Sequence, residues 1–291
     1  MSLILEKIKL SAQRAQYDLA CACGGGQTRT LDSNGRWIYP VALPNGETLP
    51  VLKVLQFSGC ERSCFYCFER LGGRGKNFCF HPDELSQTFM DLVRAGLVKG
   101  LFLSSAIRRS PIYTMDCMLG TLERIRFKHQ FRGFVHIKII PGADENQIIR
   151  AMQLAERVSV NLEAPTQKSL AAVAPGKDYD SQIIFAMRTV AKNLGRQDLR
   201  CKSHTTQYVV GAAGEKDRQI VESLWNSYRE LDLGRGYFSA FQPIIDTPLE
   251  NMMPTPAMRE HRLYQTDFLF RKYGFNYEDI VFDNDENLSL S

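Results

Sequence analysis

The sequence predicts an α/β fold built around a parallel β-sheet. Short apolar runs rich in β-branched residues recur along the chain, and each run is followed by a stretch with helical spacing. Alternation of strand and helix returns successive strands to the same direction, which is typical of an open parallel sheet or of a full or partial β/α barrel. The six predicted strands cover residues 51–57, 100–105, 134–140, 157–163, 204–210 and 237–243.

The segments between the predicted strands carry residues that favour a helix start. Pro82 and Asp83 precede the helix after the first strand, Asp144 precedes the helix after the third, and Asp217 precedes the helix after the fifth. Ligands of parallel α/β folds bind at the carboxyl ends of the strands. The residues directly after each predicted strand are therefore the candidates for chemistry.

The pattern along the chain predicts three parts. Residues 1–50 are expected to form a small N-terminal extension, because a helix-like start gives way to a stretch rich in Gly, Thr and Asn. Residues 51–250 hold all six predicted strands and are expected to form the barrel. Residues 251–291 are expected to form a C-terminal helix and an acidic tail that pack on the barrel, and the last fourteen residues carry five acids and no base.

The composition is that of a globular protein and excludes a disordered, collagen-like or coiled-coil chain. Hydrophobic residues make up 44% and charged residues 23% of the 291 residues. The chain has no apolar run of the length that crosses a membrane, and its first residues lack the apolar centre of a secretory signal. We therefore expect a cytoplasmic protein with no membrane partner. The net charge of +4 permits a polyanionic partner without requiring one.

Three cysteines directly after the first predicted strand are the strongest chemical signal in the sequence. Cys60, Cys64 and Cys67 form a C-x3-C-x2-C pattern within eight residues. Three thiolates on one loop can hold three irons of a 4Fe-4S cluster and leave the fourth iron open to another ligand. A structural zinc site remains the alternative, since such a site needs four ligands and Cys79 or His81 could supply the fourth.

This loop resembles the cluster-binding signature of the radical S-adenosylmethionine superfamily, including the aromatic Tyr66 directly before the third cysteine. The resemblance implies a partial (β/α)6 TIM-like barrel and a 4Fe-4S cluster held by Cys60, Cys64 and Cys67. It also implies that S-adenosylmethionine binds the open iron through its amino and carboxylate groups. One electron from the reduced cluster then cleaves the sulfonium to give a 5′-deoxyadenosyl radical, so the enzyme needs an electron donor such as flavodoxin or ferredoxin.

The resemblance also implies cofactor contacts after the second and fourth strands. Ser104 and Ser105 lie where the superfamily usually has a Gly-Gly-Glu-like segment that receives the amino group of the cofactor. Because the glutamate is absent here, backbone carbonyls and hydroxyls are expected to take its place. Asn161 and Glu163 occupy positions that resemble the ribose and methionyl contacts, although Glu163 could instead be a strand-end residue bonded to a loop.

Further candidate cofactor contacts lie on the third and fifth strands. Val209 and Gly211 are in register with the apolar adenine-binding stretch of the superfamily. Lys138 alternates with apolar residues on the third strand, which places one cation inside a barrel. A cation there needs an anionic partner, and the cofactor carboxylate and Glu163 are the candidates, beside a plain structural ion pair. The sequence identifies no catalytic residue beyond the cofactor site.

Longer segments resemble a group of radical S-adenosylmethionine proteins assigned to DNA modification or repair. The matching segments include HIKIIPGA, RVSVNLEAPT and QYVVGAAGE. That group typically continues into a C-terminal helix-hairpin-helix segment, which is not found in this sequence. Two basic stretches are candidates for phosphate contacts, although solvated surface is the ordinary role of such residues. They are residues 124–132 and the series Arg188, Lys192, Arg196, Arg200 and Lys202.

Three functional hypotheses follow. The first is a radical S-adenosylmethionine enzyme that modifies or repairs nucleic acid, most plausibly DNA. The second keeps this enzyme class but has a small molecule or protein as substrate, and the third is a non-catalytic metal-binding module for nucleic acid. Cys21 and Cys23 are either buried small apolar residues or a second redox site near the barrel mouth.

Overall fold

The computed structural model describes residues 6–8, 10–11, 38–42, 47–73 and 77–290. Cys21 and Cys23 lie outside the described residues, so their predicted role stays a prediction. The first described residues are helical and pack against the barrel. The Lys7 ammonium lies 2.6 Å from a carboxylate oxygen of Glu84, and the hydroxyl of Ser11 accepts a hydrogen bond from the backbone of Leu55 at 2.9 Å.

A single sheet of seven strands, in chain order, forms the centre of the described structure. The first two strands pair antiparallel, and all later pairs are parallel. The six parallel strands curl into a half-barrel, which confirms the predicted partial (β/α)6 TIM-like barrel. The strands are β1 (Ile38–Ala42), β2 (Thr48–Leu55), β3 (Gly100–Ser104), β4 (Phe134–Lys138), β5 (Arg157–Ser159), β6 (Ser203–Val210) and β7 (Arg235–Ala240).

Helices follow the parallel strands as the start signals predict. Asp144 caps the helix after β4, since its carboxylate accepts a hydrogen bond from the backbone of Gln147 at 2.8 Å, and Pro82 occupies the first turn of the helix after β2. The helices are α1 (Pro82–Arg94), α2 (Pro111–Glu123), α3 (Glu145–Leu154), α4 (Gln167–Val173), α5 (Phe185–Asn193), α6 (Asp217–Leu231) and α7 (Ala257–Phe268). Shorter helical turns cover Arg124–Lys128, Tyr179–Ile184, Leu269–Tyr273 and Tyr277–Asp279.

The two faces of the sheet differ in chemistry because side chains alternate along each strand. In β4, Val135 and Ile137 are fully buried in the core between the sheet and the helices. His136 and Lys138, which alternate with them, line a cavity on the other face. The apolar core therefore occupies the outer side of the sheet, and the inner side is a polar lumen.

The ends of the chain differ in detail from the sequence expectations. β1 is a strand within the segment for which a helix and loops are predicted, and residue 50 falls inside β2. α7 packs on β7, where a carboxylate oxygen of Glu260 accepts a hydrogen bond from the backbone of Ala240 at 2.7 Å. The carboxylate of Asp217 accepts a hydrogen bond from the backbone of Leu288 at 3.0 Å, so the acidic tail contacts the start of α6. The division into three parts stays a prediction.

Strand β5 is shorter than predicted because its pairing with β6 is interrupted by one extra residue: Ser159 is opposite Thr205, whereas Glu163 is opposite Tyr208. The sequence predicts a strand over 157–163, whereas regular pairing ends at Ser159 and resumes only as an isolated bridge between Glu163 and Tyr208. Glu163 has a φ of 65°, which is incompatible with a continuing strand. Among the described residues, no helix combines the length and apolar character that crossing a lipid bilayer requires.

Candidate active site

The three cysteines lie on the loop between β2 and α1, at the carboxyl edge of the half-barrel. Glu69 fixes the start of this loop, since its carboxylate accepts a hydrogen bond from the backbone of Gly59 at 2.7 Å and its carbonyl accepts one from Cys60 at 2.6 Å. Gly59 has a φ of 72°, a left-handed conformation that favours glycine. The start of the loop is therefore set by contacts within its own residues, and backbone hydrogen bonds from Glu61 to Ile107 and from Phe65 to Val173 join the loop to neighbouring segments.

The thiol groups lie in a desolvated environment in which their ionised forms would repel one another. The sulfur of Cys60 accepts backbone hydrogen bonds from Arg62 at 3.4 Å and from Ile107 at 3.3 Å. Burial raises the pKa of Cys60, and burial together with the neighbouring Cys64 and Cys60 thiols raises the pKa of Cys67. A bound metal removes this cost, because a thiol that coordinates a metal is deprotonated outright and the positive charge offsets the repulsion.

The described residues do not present the closed set of ligands that a single zinc ion requires. Zinc requires all its sulfur ligands about 2.3 Å from one ion. Within the described part of the chain, no group of three His, Cys, Asp or Glu side chains is placed to hold a single metal ion. His81 is exposed and is the N-cap of α1, whereas Cys79 pairs with Phe57 and interacts with Cys117. A 4Fe-4S cluster does not require the sulfurs to meet at one ion, since each thiolate binds a different iron.

A buried ion pair lies beside the cysteine loop. The ammonium of Lys177 is 2.9 Å from a carboxylate oxygen of Glu163 and 3.4 Å from the hydroxyl of Tyr66. The side chains of Lys177 and Glu163 are only 11% and 10% exposed. The backbone of Glu163 is fixed by hydrogen bonds of 2.8 Å to Gln207 and from Val209. A strained backbone and a buried ion pair at one residue are typical of functional sites.

Lys177 joins the ion pair to the cysteine loop electrostatically. Burial alone would lower the pKa of Lys177, but Glu163 and the thiols of Cys64 and Cys67 keep it raised. Burial and the same acidic neighbours raise the pKa of Tyr66. The structure thus brings Tyr66 and Glu163 together with the cysteines, and the sequence analysis missed the residue that joins them.

One of the two expected partners of Lys138 is paired with another residue. Glu163, one of its two expected partners, is paired with Lys177 instead. Lys138 and Asn161 line the cavity in the lumen. They therefore face the interior of the half-barrel, next to the carboxyl edge.

The segment after β3 runs alongside the cysteine loop. The carbonyl of Ser104 accepts a hydrogen bond from the backbone of Gln56 at 2.8 Å. The hydroxyl of Ser105 accepts a hydrogen bond from the backbone of Phe57 at 3.2 Å and donates one to the carbonyl of Ala106 at 2.7 Å. The Ser105 hydroxyl therefore positions the two adjacent loops.

The loop after β6 is fixed by a buried carboxylate. Glu215 accepts hydrogen bonds from the backbone of Gly211 and, at 3.1 Å, from Ala213. Gly211 has a φ of 90°, and a Cβ atom there would lie 2.0 Å from the hydroxyl of Thr255, so only glycine fits. Val209 is half-buried and lies two residues before Gly211. Both predicted adenine contacts thus lie at the carboxyl end of β6.

Comparison with solved structures shows a shared fold. Methylornithine synthase (PylB) matches with a TM-score of 0.60 and 14% sequence identity over 75% of this chain and 62% of that chain. A structure of HydG, a maturase of the [FeFe]-hydrogenase, matches with a TM-score of 0.58 and 10% identity over 75% of this chain and 49% of that chain. HydG from Carboxydothermus hydrogenoformans matches with a TM-score of 0.59 and 9% identity over 75% and 50% of the two chains.

The half-barrel described here has the fold of these proteins, a partial TIM barrel of the radical S-adenosylmethionine type. The chain spans about half to three fifths of the length of these three proteins. No protein-family model and no curated protein matches the sequence. At such low identity the comparison establishes the fold, and the chemistry rests on the residues at the site.

Proposed function

We propose that this protein is a radical S-adenosylmethionine enzyme. The observation that carries the proposal is a loop with three thiols after the first parallel strand of the half-barrel, beside the buried pair of Glu163 and Lys177. Three thiols fit a 4Fe-4S cluster with one open iron. The fold shared with radical S-adenosylmethionine enzymes supports the same class.

Each part of the carboxyl edge has a role in this proposal. Cys60, Cys64 and Cys67 would hold the cluster. Residues at the ends of the neighbouring strands would hold S-adenosylmethionine: Tyr66, Ser104, Ser105, Lys138, Asn161, Glu163, Val209 and Gly211. With an electron from a donor such as flavodoxin or ferredoxin, the bound cluster and cofactor would break one carbon–sulfur bond, giving methionine and a 5′-deoxyadenosyl radical that takes a hydrogen atom from the substrate.

The chain's own contribution is to position charge and exclude water. Lys177 is a cation next to Cys64 and Cys67, so it offsets the negative charge of the ligating sulfurs. Glu163 is held by Lys177 and by its strained backbone, so its carboxylate has a defined position at the strand end. Reactive radicals abstract hydrogen from the nearest donor, and the enclosed lumen limits that choice.

For the substrate we propose nucleic acid, with DNA favoured by the resemblance to the DNA modification or repair group. The first basic stretch supports this proposal less than the second, because its charges are paired within the chain. In the first, Arg124 and Lys128 pair with Asp83, and the buried Arg126 pairs with Glu156.

In the second stretch the charges on α5 are available to an external anion. Arg188 and Lys192 are exposed and form no ion pair with any residue that the structure describes. Arg196 and Arg200, by contrast, lie 2.7 Å from Asp198 and 3.6 Å from Glu156. If strand phosphates contact the outer surface, α5 is the face that supports such contacts.

The enzyme class is tested by anaerobic reconstitution with iron and sulfide, reduction, and electron paramagnetic resonance spectroscopy with and without S-adenosylmethionine. We expect a reduced 4Fe-4S signal whose shape changes when the cofactor is added, followed by formation of 5′-deoxyadenosine. A protein that binds zinc instead, or a cluster indifferent to the cofactor, would overturn the proposal.

A further inference from the structure

A polar cavity of about 390 Å³ occupies the lumen of the half-barrel. Inward side chains of the parallel strands line it, and the lining residues that the structure describes include several cations but no Asp or Glu. The cavity is lined by Arg157 and Arg235, the first residues of β5 and β7, and also by Lys138 and Asn161, which lie at and just after the carboxyl ends of β4 and β5. It therefore connects a cationic region to the candidate cofactor site.

Two of the arginines in this lumen are without a carboxylate partner. Arg157 donates a hydrogen bond to the hydroxyl of Ser203 at 3.4 Å and lies over the ring of Phe134, but it forms no ion pair with the described residues. Arg235 lies over the ring of Tyr237 at 4.8 Å, and its buried Nε atom has no hydrogen-bond partner in the described structure. Both arginines are half-buried, and a guanidinium with a buried N–H group that lacks an acceptor favours an anionic ligand.

A third arginine at the cavity, Arg271, differs from these two because it is paired with a carboxylate. Its guanidinium lies 2.6 Å from the carboxylate of the buried Asp267. The fold therefore neutralises one arginine at this cavity internally and leaves the positive charges of Arg157 and Arg235 to be balanced from outside.

Ser159 provides an independent polar group aimed into the same cavity. It is 4% exposed, and its hydroxyl has no hydrogen-bond partner within the described ranges. The strand register places Ser159 between Lys138 on β4 and Thr205 on β6, and Thr205 in turn is level with Arg235 on β7. One layer of the sheet thus presents two hydroxyl side chains flanked by two cations.

The adjacent layer, nearer the amino ends of the strands, contains a pair of aromatic rings that stack on each other. Phe102 and His136 stack with ring centroids 4.2 Å apart and planes 4° apart. His136 is level with Arg157 on the next strand. Both rings line the same cavity as the two arginines, so one ligand could contact the aromatic pair and the guanidinium groups together.

We propose that the lumen binds a single nucleotide unit, with its phosphate at Arg157, Arg235 and Ser159 and its base at Phe102 and His136. Stacking on aromatic rings and pairing of phosphate with arginine are the general means by which proteins hold nucleotides. The volume lies at the lower end of the range for ligand pockets, roughly 300–1,000 Å³, which suits one nucleotide and excludes a duplex. This inference rests on the proposed nucleic-acid substrate, and a nucleotide within a strand would enter unstacked.

The experiment is isothermal titration calorimetry of the reconstituted protein with each of the four deoxynucleoside 5′-monophosphates, the matching nucleosides, inorganic phosphate and short single-stranded DNA. We expect at least one monophosphate to bind more tightly than its nucleoside. The double variant R157Q/R235Q should weaken that binding about tenfold or more and leave the nucleoside unaffected. Ser159→Ala, which removes no charge, should weaken it by a smaller factor. Arg94→Gln, which removes an exposed charge on α1 outside both basic stretches of the proposal, is the matched control and should change nothing.

Equal affinity of the wild type and R157Q/R235Q for every monophosphate would overturn the inference, as would nucleosides that bind as tightly as monophosphates. Binding of inorganic phosphate without a further gain from the nucleotide would overturn it in favour of another phosphorylated substrate. Competition by single-stranded DNA distinguishes a strand from a free nucleotide as the source. A cluster signal that still responds to S-adenosylmethionine, without nucleotide binding, would overturn this inference alone, whereas loss of that response would overturn the proposed enzyme class.

Discussion

The carboxyl edge and the lumen of the half-barrel differ in how the charges of their side chains are balanced. At the carboxyl edge, Lys177 and Glu163 neutralise each other at 2.9 Å, and the cation also faces two of the thiols. In the lumen, Arg157 and Arg235 stack on aromatic rings and form no ion pair with the described part of the protein. At the carboxyl edge the charges are balanced within the chain. In the lumen the charges of these two arginines can be balanced by a ligand.

This difference indicates what each region binds. A carboxyl edge with thiols and an internally paired cation suits a ligand that brings its own positive charge, such as an iron cluster. A lumen with unpaired guanidinium groups suits a ligand that brings negative charge. The cavity reaches Lys138 and Asn161, so a ligand in the lumen would lie next to the proposed cofactor site.

The substitution Cys64→Ala is the strongest test of the carboxyl edge. It removes the most buried of the three thiols and leaves two ligands for the cluster, so we expect complete loss of cluster assembly. Iron and sulfide content and the electron paramagnetic resonance signal of the reduced protein measure it. Cys117→Ala, at a half-buried cysteine on α2, is the matched control and should retain the cluster. Full iron content in Cys64→Ala would contradict the ligand assignment.

Substitution of Lys177 by Met tests whether the buried pair organises the edge. It leaves Glu163 charged and buried without a partner, which for buried pairs costs about 3–5 kcal/mol in the free energy of unfolding. Denaturant unfolding of the cluster-free protein measures the loss. The double variant K177M/E163Q should recover a large part of that stability, because no charge is then left unpaired. We also expect Lys177→Met to weaken the spectral response of the cluster to S-adenosylmethionine.

An unchanged free energy of unfolding in Lys177→Met would show that water, rather than Lys177, compensates Glu163. The carboxyl edge would then not differ from the lumen in the way described. Recovery in the double variant without recovery of the cofactor response would assign Glu163 a separate role in binding.

The cysteine loop could be predicted from sequence because all three thiols lie within eight residues of one loop. Lys177 could not, since it meets Tyr66 from 111 positions away through the folding of the loop after α4. Its only local signal is the sequence Pro175-Gly176-Lys177, which indicates a turn and nothing about a partner.

The lumen was predictable only in part. The alternation along 134–140 places Lys138 inside a barrel, and the structure agrees. The grouping of Ser159, Thr205 and Arg235 depends on the register between three strands, which no pattern within a single strand encodes. The early end of β5 was likewise missed, because the extra residue between Ser159 and Glu163 shows only in the pairing with β6.

A smaller effect on the free energy of unfolding is expected from the protonation of His204 on β6, whose side chain is fully buried. Burial lowers the pKa of His204 below its ordinary value near 6.5, although its ring donates a hydrogen bond to the carbonyl of Leu231 at 2.6 Å. The unfolded chain therefore takes up the proton more readily. The stability that this histidine contributes is fully present above about pH 6.5 and is lost as the pH falls through the lowered pKa.

Denaturant unfolding between pH 7.5 and pH 5 measures this dependence, which for one histidine is at most about 1.4 kcal/mol per pH unit. His204→Gln, which keeps a side-chain donor and cannot be charged, should flatten the profile. If the profile of the variant retains the full slope, other groups carry the acid sensitivity.

The smallest expected effect distinguishes the outer basic face from the lumen. In the double variant R188Q/K192Q, two exposed charges of α5 that are unpaired within the described structure are removed. If α5 contacts strand phosphates, the slope of log affinity against log salt for single-stranded DNA should fall by about 0.7 per lost contact. Affinity for a deoxynucleoside monophosphate should stay unchanged, since the lumen is intact. The variant R157Q/R235Q should instead weaken both ligands. Equal salt slopes for the wild type and R188Q/K192Q would leave the lumen as the sole site of phosphate recognition and reduce α5 to a solvated helix.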